Sequence, residues 1–286
     1  MKNLREIFNP NKITLSGKAT IVDTSTGKYV IKEHDKDLES LFNYLDNRSF
    51  TNHPKIIDKI DNNYVYEYVD ENKTPINQKA SDMASLLASL HYKTTYFTNI
   101  EKDNIKEIYE NILDNILYFE NYYNNLFNEI EKEEYMRPSY YLLIKNRAKV
   151  ASLIGFLKEN IEKWYQDMIN NDKVRVVYNH NNLSINHYRN NNFISWDNYK
   201  IDSPILDLIN VYHNDFNKYD YETFLNKYLK EFSLTKEEKR LFFTVISIPK
   251  TTYFTDNEMD NTIMIGKFID YINNTERLIR PHYPID

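Results

Sequence analysis

Glycine and cysteine are the residues that this chain most lacks. Its 286 residues include four glycines, Gly17, Gly27, Gly155 and Gly266. A Walker A loop and a dinucleotide-binding fingerprint each need several glycines within one short segment, so the sequence excludes both of these nucleotide-binding motifs. No cysteine is present, which also excludes disulfides, thiol catalysis and cysteine-based zinc sites.

Basic charge and long apolar runs are lacking as well. A net charge of -6 provides no basic surface, so we expect neither nucleic acid nor membrane as a partner. No segment approaches the roughly 18 consecutive apolar residues of a membrane-spanning helix. The residues after Met1 also lack the apolar core of a secretion signal. The sequence therefore predicts a cytoplasmic protein.

The most informative stretch covers residues 176–208, where polar side chains alternate with short apolar runs. Asn179-His-Asn-Asn182 follows a β-branched run at 174–178, and Ser195-Trp-Asp197 ends a second apolar run that begins at Phe193. Asn and Asp favour turns, and they need hydrogen-bond partners when they are buried. We therefore predict a hairpin across which the two polar segments face each other.

This stretch resembles the catalytic segment of the aminoglycoside phosphotransferase and choline kinase-like family. The family reads His-Gly-Asp-Leu-x-x-x-Asn, then Ile-Asp-Trp-Glu, then Asp-Pro-x-x-Asp-Leu. The corresponding segments here are His180-Asn-Asn-Leu-Ser-Ile-Asn-His187, Ile194-Ser-Trp-Asp197 and Ser203-Pro-Ile-Leu-Asp-Leu208. The matching framework residues are His180, Leu183, Trp196, Pro204 and Asp207. The resemblance implies an α+β, bilobal, protein-kinase-like fold and phosphoryl transfer to a hydroxyl group.

The reactive positions of that family carry different residues here. In the family, the loop Asp accepts the proton of the substrate hydroxyl, the Asn holds a magnesium ion, and the Asp before Trp holds the metal that bridges the phosphates. These positions correspond to Asn182, His187 and Ser195. An amide is a negligible base, the imidazole of His187 is an unusual partner for a cation that prefers oxygen, and Ser195 has no charge.

A second alignment of the same motif stays open. Shifting it by two residues gives Asp197 the role of the metal ligand, but this shift loses two framework matches. We favour the ungapped alignment. In either alignment the catalytic position is Asn182, next to the framework residue His180, and it offers no base.

Residues 1–69 predict a small antiparallel sheet with one helix. The first hairpin is predicted to consist of a strand over 12–23, a turn at 24–27 and a returning strand over 28–32, which ends on Lys32. A second hairpin is predicted over 56–60 and 64–69. The resemblance implies that the first hairpin covers a nucleotide, with Lys32 reaching the phosphates and Gly17 allowing the backbone to approach them. A lysine that ends a strand is also commonly just a solvated charge.

The remaining residues of the predicted nucleotide site come from a helix and from the second hairpin. A helix over 37–45 places Glu39 where it would pair with Lys32, although Glu33, Asp35 and Asp37 compete for that role and an exposed surface glutamate reads the same way. Tyr66 and Tyr68 occupy the position at which kinase-like folds meet adenine.

Residues 70–76 are the predicted linker, and 77–286 predict a helical second lobe. Apolar residues recur at helical spacing over 103–130 and, after Pro138, over 139–169. These two helices predict a helical hairpin at 103–170, which is either scaffold or a docking surface for substrate or protein. Thr235 and Glu238 predict a capping box, followed by a last helix over 256–272 and a tail from Arg277.

Three functions agree with these patterns. The favoured one is a pseudokinase that keeps the fold, binds a nucleotide or acts in regulation, and lacks the catalytic Asp and the metal ligands. The second is an atypical ATP-dependent phosphotransferase acting on a hydroxyl, with Asp197 holding magnesium. The third is an assembly protein like the spore-coat proteins of the CotS type. The resemblance implies ATP and Mg²⁺ as cofactors, the changed ligands argue against them, and no substrate can be named.

Overall fold

The computed structural model describes residues 9–60, 62–71 and 73–283. The predicted ranges 1–69, 70–76 and 77–286 therefore include some positions outside the described residues. The chain divides into two compact units, Met1–Tyr96 with Val176–Ser233 and Phe97–Arg175 with Leu234–Asp286. The predicted linker at 70–76 lies inside the first unit, and the lobe boundaries stay a prediction.

The order of elements is mixed at the start of the chain and mainly helical later. The strands are β1 (Lys12–Ser16), β2 (Ala19–Thr24), β3 (Gly27–Glu33), β4 (Ile56–Ile60), β5 (Asn63–Glu67), β6 (Tyr96–Asn99), β7 (Lys173–Asn179), β8 (Tyr188–Arg189), β9 (Asn192–Phe193) and β10 (Lys200–Asp202). The helices are α1 (Leu38–Asn47), α2 (Ile76–Thr94), α3 (Lys102–Ile130), α4 (Pro138–Lys145), α5 (Arg147–Met168), α6 (Ile205–Asp215), α7 (Tyr221–Glu231), α8 (Lys236–Ile246) and α9 (Glu258–Ile279).

A five-stranded sheet in the order β1-β2-β3-β5-β4 begins the first unit, and all its neighbouring strands are antiparallel. The prediction of one strand over 12–23 is wrong, because Ser16 pairs with Ala19 across a tight turn. Gly17 has a φ of 58° in that turn, a conformation that glycine adopts without steric cost. Since β-branched residues stand on both sides of the turn, the sequence reads as a single strand.

Helix α1 covers the predicted range 37–45. Asp37 caps it by accepting a hydrogen bond from the N–H of Ser40 at 3.2 Å, and Leu38, Leu41, Phe42 and Leu45 form its buried face. The ring of Phe42 lies edge-on to Trp196, with centroids 6.1 Å apart. The helix therefore packs its apolar face against the segment that carries the predicted catalytic motif.

The second unit is built on helices. Helix α3 begins one residue before the predicted start of its range, and it packs against α5 through a cluster that includes Ile116, Ile161 and Trp164. The single helix predicted over 139–169 is in fact α4 and α5. The chain turns at Asn146, whose N–H donates to the carbonyl of Leu143 at 3.0 Å.

The last helices show one agreement and one difference. The Thr235 capping box is present, with both of its reciprocal hydrogen bonds to Glu238. Helix α9 continues past the predicted end at 272 as far as Ile279, and Leu278 and Ile279 are buried. Burial of these two side chains stabilises the extra turns, so the predicted tail is helical over its first three residues, 277–279. Across the described ranges, no helix combines the length and apolarity needed to cross a membrane.

Candidate active-site cleft

A cleft of about 740 Å³ lies within the first unit. The predicted site residues that line it are Gly17, Lys32, Tyr66, Tyr68, Asn182, His187, Ser195 and Asp197. The other two predicted residues, Glu39 and His180, do not belong to its lining. The volume falls within the range of about 300–1,000 Å³ that is typical of small-molecule sites.

Asp207 fixes the loop that follows β7. Its carboxylate accepts the N–H of His180 at 2.8 Å and the N–H of Asn181 at 2.7 Å, and it lies 3.3 Å from Nε2 of His91. The carboxylate is fully buried. Asn181 has a φ of 57°, a left-handed conformation that Asn adopts more readily than most residues. The segment Asn179-His-Asn-Asn182 therefore folds as a turn that Asp207 of helix α6 holds by hydrogen bonds to its backbone.

His180 supports this loop from inside the protein. Its Nε2 donates to the carbonyl of Ile194 at 2.8 Å, and its ring lies 4.9 Å from that of Trp196. Complete burial lowers the pKa of His180 to about 4, so the imidazole is neutral at physiological pH. This predicted catalytic residue thus ties the loop to the following hairpin.

A turn stabilised by Trp196 directs the chain from β9 to the cleft. The apolar run at 193–196 is a strand only as far as Phe193, where β8 and β9 end their pairing. The indole N–H of Trp196 donates to the carbonyl of Phe193 at 2.7 Å, and Ser195 adopts a left-handed φ of 68°. This turn brings Asp197 to the cleft that Asn182 also lines.

Two cationic or donor side chains hold the Asp197 carboxylate. Lys32 donates to its Oδ2, and Nδ1 of His34 lies 2.7 Å from its Oδ1. Burial raises the pKa of Asp197, but the hydrogen bonds from His34 and Lys32 outweigh it, and the pKa falls below the usual value of Asp. Asp197 is therefore ionised, with a donor on each oxygen. Glu39, which the sequence pairs with Lys32, is exposed on α1.

The loop residues opposite Asp197 are neutral. Nδ1 of His187 donates to the main-chain carbonyl of Asn182 at 2.5 Å, which leaves Nε2 as the unprotonated nitrogen. Burial lowers the pKa of His187 and favours that neutral form. Asn182 contributes a half-buried amide to the cleft. The arrangement offers hydrogen bonds to a ligand, and at position 182 it presents an amide, which cannot act as a base.

Three buried polar atoms on residues that line the cleft have no hydrogen-bond partner among the described residues. They are Nε2 of His34, the hydroxyl of Tyr66 and Nε of Arg189. Burial and the nearby Asp197 raise the pKa of Tyr66, so its hydroxyl stays protonated. Unpaired buried polar atoms are costly, and their concentration beside one cleft is typical of a ligand site.

Sequence reasoning missed His34 and Arg189. His34 stands two residues after Lys32, and side chains at that spacing along an extended chain point to the same side. A strand that aims Lys32 into a cleft therefore aims His34 there too. Arg189, whose Nη1 donates to the hydroxyl of Tyr68 at 3.4 Å, follows the motif in a region where no pattern singled it out.

The donor set fits magnesium poorly. The residues described contain no group of three or more His, Cys, Asp and Glu side chains arranged to hold a metal ion. Mg²⁺ prefers oxygen ligands in octahedral geometry, whereas His187 offers nitrogen and Ser195 a neutral hydroxyl. Asp197 has both oxygens engaged by Lys32 and His34. A magnesium ion would therefore compete with Lys32 and His34 for these oxygens.

Comparison with solved structures identifies the fold. An aminoglycoside phosphotransferase from Alicyclobacillus acidocaldarius matches with a TM-score of 0.63 and 10% identity, over 95% of this chain and 92% of that one. The AMP-bound spectinomycin phosphotransferase APH(9)-Ia matches with a TM-score of 0.51 and 10% identity, over 98% and 93%. No protein-family model and no curated protein sequence matches. The predicted class is thus confirmed: this chain has the α+β, protein-kinase-like fold of the aminoglycoside phosphotransferases.

Proposed function

We propose that this protein is a pseudokinase that binds a nucleotide with the fold of a small-molecule phosphotransferase and does not transfer its phosphoryl group efficiently. One observation carries the proposal: the cleft brings Lys32 to Asp197 while the loop beside it presents the amide of Asn182. Lys32 supplies a cationic group in the cleft, and the amide cannot accept a proton from a hydroxyl substrate.

Nucleotide binding is supported by the chemistry of the cleft lining. Lys32 contributes a cation, the Gly17 turn is open, since a Cβ at Gly17 would meet no atom within 4 Å, and Tyr66 and Tyr68 provide aromatic surface. A base and a phosphate chain need apolar or aromatic contact at one end and positive charge at the other. The structural relative solved with AMP agrees with a nucleotide as the ligand.

Inefficient transfer follows from the neutral loop. A positioned general base contributes about 10²- to 10⁴-fold to rate, and metal ions neutralise the charge that develops on the transferring phosphoryl group. Asn182 removes the first contribution, and Ser195 and His187 weaken the second. The alternative is an atypical phosphotransferase in which Asp197 holds magnesium. It uses the same Lys32 and Asp197, but the metal would have to compete with Lys32 and His34 for the carboxylate.

Calorimetry and thermal unfolding with ATP test the proposal. We expect ATP in EDTA to bind and to raise the melting temperature, because a ligand at about 100 times its Kd stabilises the folded state by about 2.7 kcal/mol. Lys32→Met should weaken this binding at least tenfold by removing the cation. Lys12→Met, an exposed lysine on β1 outside the cleft lining, is the matched control and should bind like the wild type.

Two results would contradict the proposal in different ways. Steady ATP turnover that disappears in Asn182→Ala would establish an active phosphotransferase. If the folded protein shows no response to ATP, the proposed nucleotide binding is wrong. That result would favour an assembly role through the segment at 103–170.

A further inference from the structure

The carboxylate of Asp197 is enclosed on both sides. Lys32 occupies Oδ2 and His34 occupies Oδ1. The side chain of Lys32 is 15% exposed, that of His34 4% and that of Asp197 25%, so the hydrogen bonds are partly buried. Charge-assisted hydrogen bonds in such surroundings are stronger than neutral ones. A divalent cation at Asp197 would have to share these oxygens with Lys32 and His34 or displace one of the two side chains.

His34 is held firmly in this position. Its ring lies edge-on to Tyr64 and Tyr66, with centroids 5.6 Å and 5.8 Å away, and the residue is 9% exposed. Because Nδ1 faces an ionised carboxylate, it carries the proton and donates. A rotation that released Asp197 would move the ring within a packed aromatic environment, which costs free energy.

The charges around Asp197 also disfavour a dication. Lys32 already neutralises the single carboxylate in the interior of the cleft. The other carboxylates of the lining, Glu33, Asp35 and Glu67, are exposed, and charges at exposed positions interact weakly across water. A divalent ion at Asp197 would therefore meet the positive charge of Lys32 without a second buried carboxylate to offset it.

We propose that Lys32 and His34 take the place of a divalent cation at Asp197, so that the cleft binds its nucleotide without magnesium. His34 acts as the positioning residue, because it occupies the oxygen that a metal would otherwise take. This inference rests on the proposed function for its ligand, but the exclusion of a metal from Asp197 can be measured without any nucleotide.

Asn and Asp have nearly the same shape, so His34→Asn and His34→Asp differ mainly in whether position 34 offers a donor or a carboxylate to Asp197. Nδ1 of His is bonded to Cγ, as are the side-chain nitrogen of Asn and the oxygens of Asp. His34→Asn therefore keeps a donor toward Asp197, whereas His34→Asp presents a second carboxylate there. Two adjacent carboxylates suit Mg²⁺ and Mn²⁺. His34→Ala, which removes the donor without adding charge, provides a further variant should His34→Asp fail to fold.

The probes are Mn²⁺ alone, followed by electron paramagnetic resonance, and ATP with either EDTA or Mg²⁺, followed by calorimetry. We expect wild-type protein and His34→Asn to bind Mn²⁺ at least tenfold more weakly than His34→Asp. Magnesium should leave wild-type affinity for ATP unchanged or lower it. It should raise the affinity of His34→Asp, and that of His34→Ala to a smaller extent.

His53→Asn is the control for losing a buried histidine. His53 is as buried as His34, at 9% exposed, and it pairs with Asp46 at 3.0 Å outside the cleft lining, so this variant should bind Mn²⁺ and ATP like the wild type. Wild-type Mn²⁺ binding equal to that of His34→Asp, or wild-type ATP affinity that magnesium raises tenfold, would overturn the inference. So would folded His34→Asp and His34→Ala proteins that respond to metal as the wild type does. Loss of ATP binding in every protein would count against the proposed function, while the Mn²⁺ titration would still decide this inference.

Discussion

Two groups of polar side chains lie within residues 176–208, and they differ in what they contact. The framework group, Asn179, His180 and Asp207, is buried and hydrogen-bonds to the backbone of the loop and hairpin. The cleft group, Asn182 and Ser195, carries neutral side chains beside the ion pair of Asp197. The framework bonds are needed by the fold whatever the reaction. We therefore expect substitution of the cleft group to cost less stability than substitution of the framework group.

The largest expected effect comes from breaking the framework. Asp207→Ala removes the acceptor for two backbone N–H groups and the partner of His91. Loss of one member of a buried, charged hydrogen-bonded group costs about 3–5 kcal/mol. We expect the free energy of unfolding, measured in urea, to fall by that amount.

Asp202→Ala is the matched control for this experiment. Asp202 lies in the same stretch but is 36% exposed in its ion pair with Lys200, and exposed pairs contribute about 0–1 kcal/mol. Equal losses in the two variants would show that burial of Asp207 is not what makes the framework stable, and the distinction between the two groups would fail.

A pH dependence of intermediate size should come from His180. Its pKa is lowered from 6.5 to about 4 in the folded protein. As pH falls below 6.5, the unfolded chain binds a proton that the folded protein does not, so stability decreases until the pH reaches about 4. The loss approaches about 3 kcal/mol. Urea unfolding at several pH values should show a shallower slope in His180→Gln, and an unchanged slope would mean that His180 titrates normally.

The smallest expected effect lies in the cleft, at Tyr66. Its buried hydroxyl has no partner among the described residues, and burying an unpaired hydroxyl costs about 1–3 kcal/mol. Tyr66→Phe should therefore raise the free energy of unfolding, by about 1 kcal/mol. Tyr221→Phe is the control, because both residues are 7% exposed while the hydroxyl of Tyr221 donates to Leu208 at 2.9 Å. That variant should be destabilised, and destabilisation of Tyr66→Phe as well would contradict the prediction.

The sequence predicts an element best where its apolar spacing fits only one kind of secondary structure and a capping residue marks its start. Helix α1 follows from its apolar spacing and Asp37 cap, and α8 from the Thr235 capping box. The strand over 12–23 was wrong because alternation does not reveal a two-residue turn, for which Gly17 was the available sign. The break at Asn146 was missed because apolar spacing continues on both sides of it.

The sequence predicted which residues line the candidate site better than it predicted which of them contact each other. The family resemblance identified Lys32, Asn182 and, in the favoured alignment, Ser195, whereas Asp197 took the metal position only in the alternative alignment; all four line one cleft. It paired Lys32 with Glu39, since sequence spacing on α1 says which face a residue occupies but not which distant residue meets it. His34 was overlooked because a histidine after a strand has no distinctive pattern. Its role depends on Asp197, which lies far along the chain.

The backbone at Ser195 has a consequence for how this chain could change. Its φ of 68° and ψ of 55° are left-handed, and Asn and Asp enter that region with less strain than most other residues. An aspartate at this position therefore meets little conformational strain from the main chain. Ser195→Asp would therefore place a carboxylate in this segment without reshaping its main chain, so the local geometry does not demand a neutral residue.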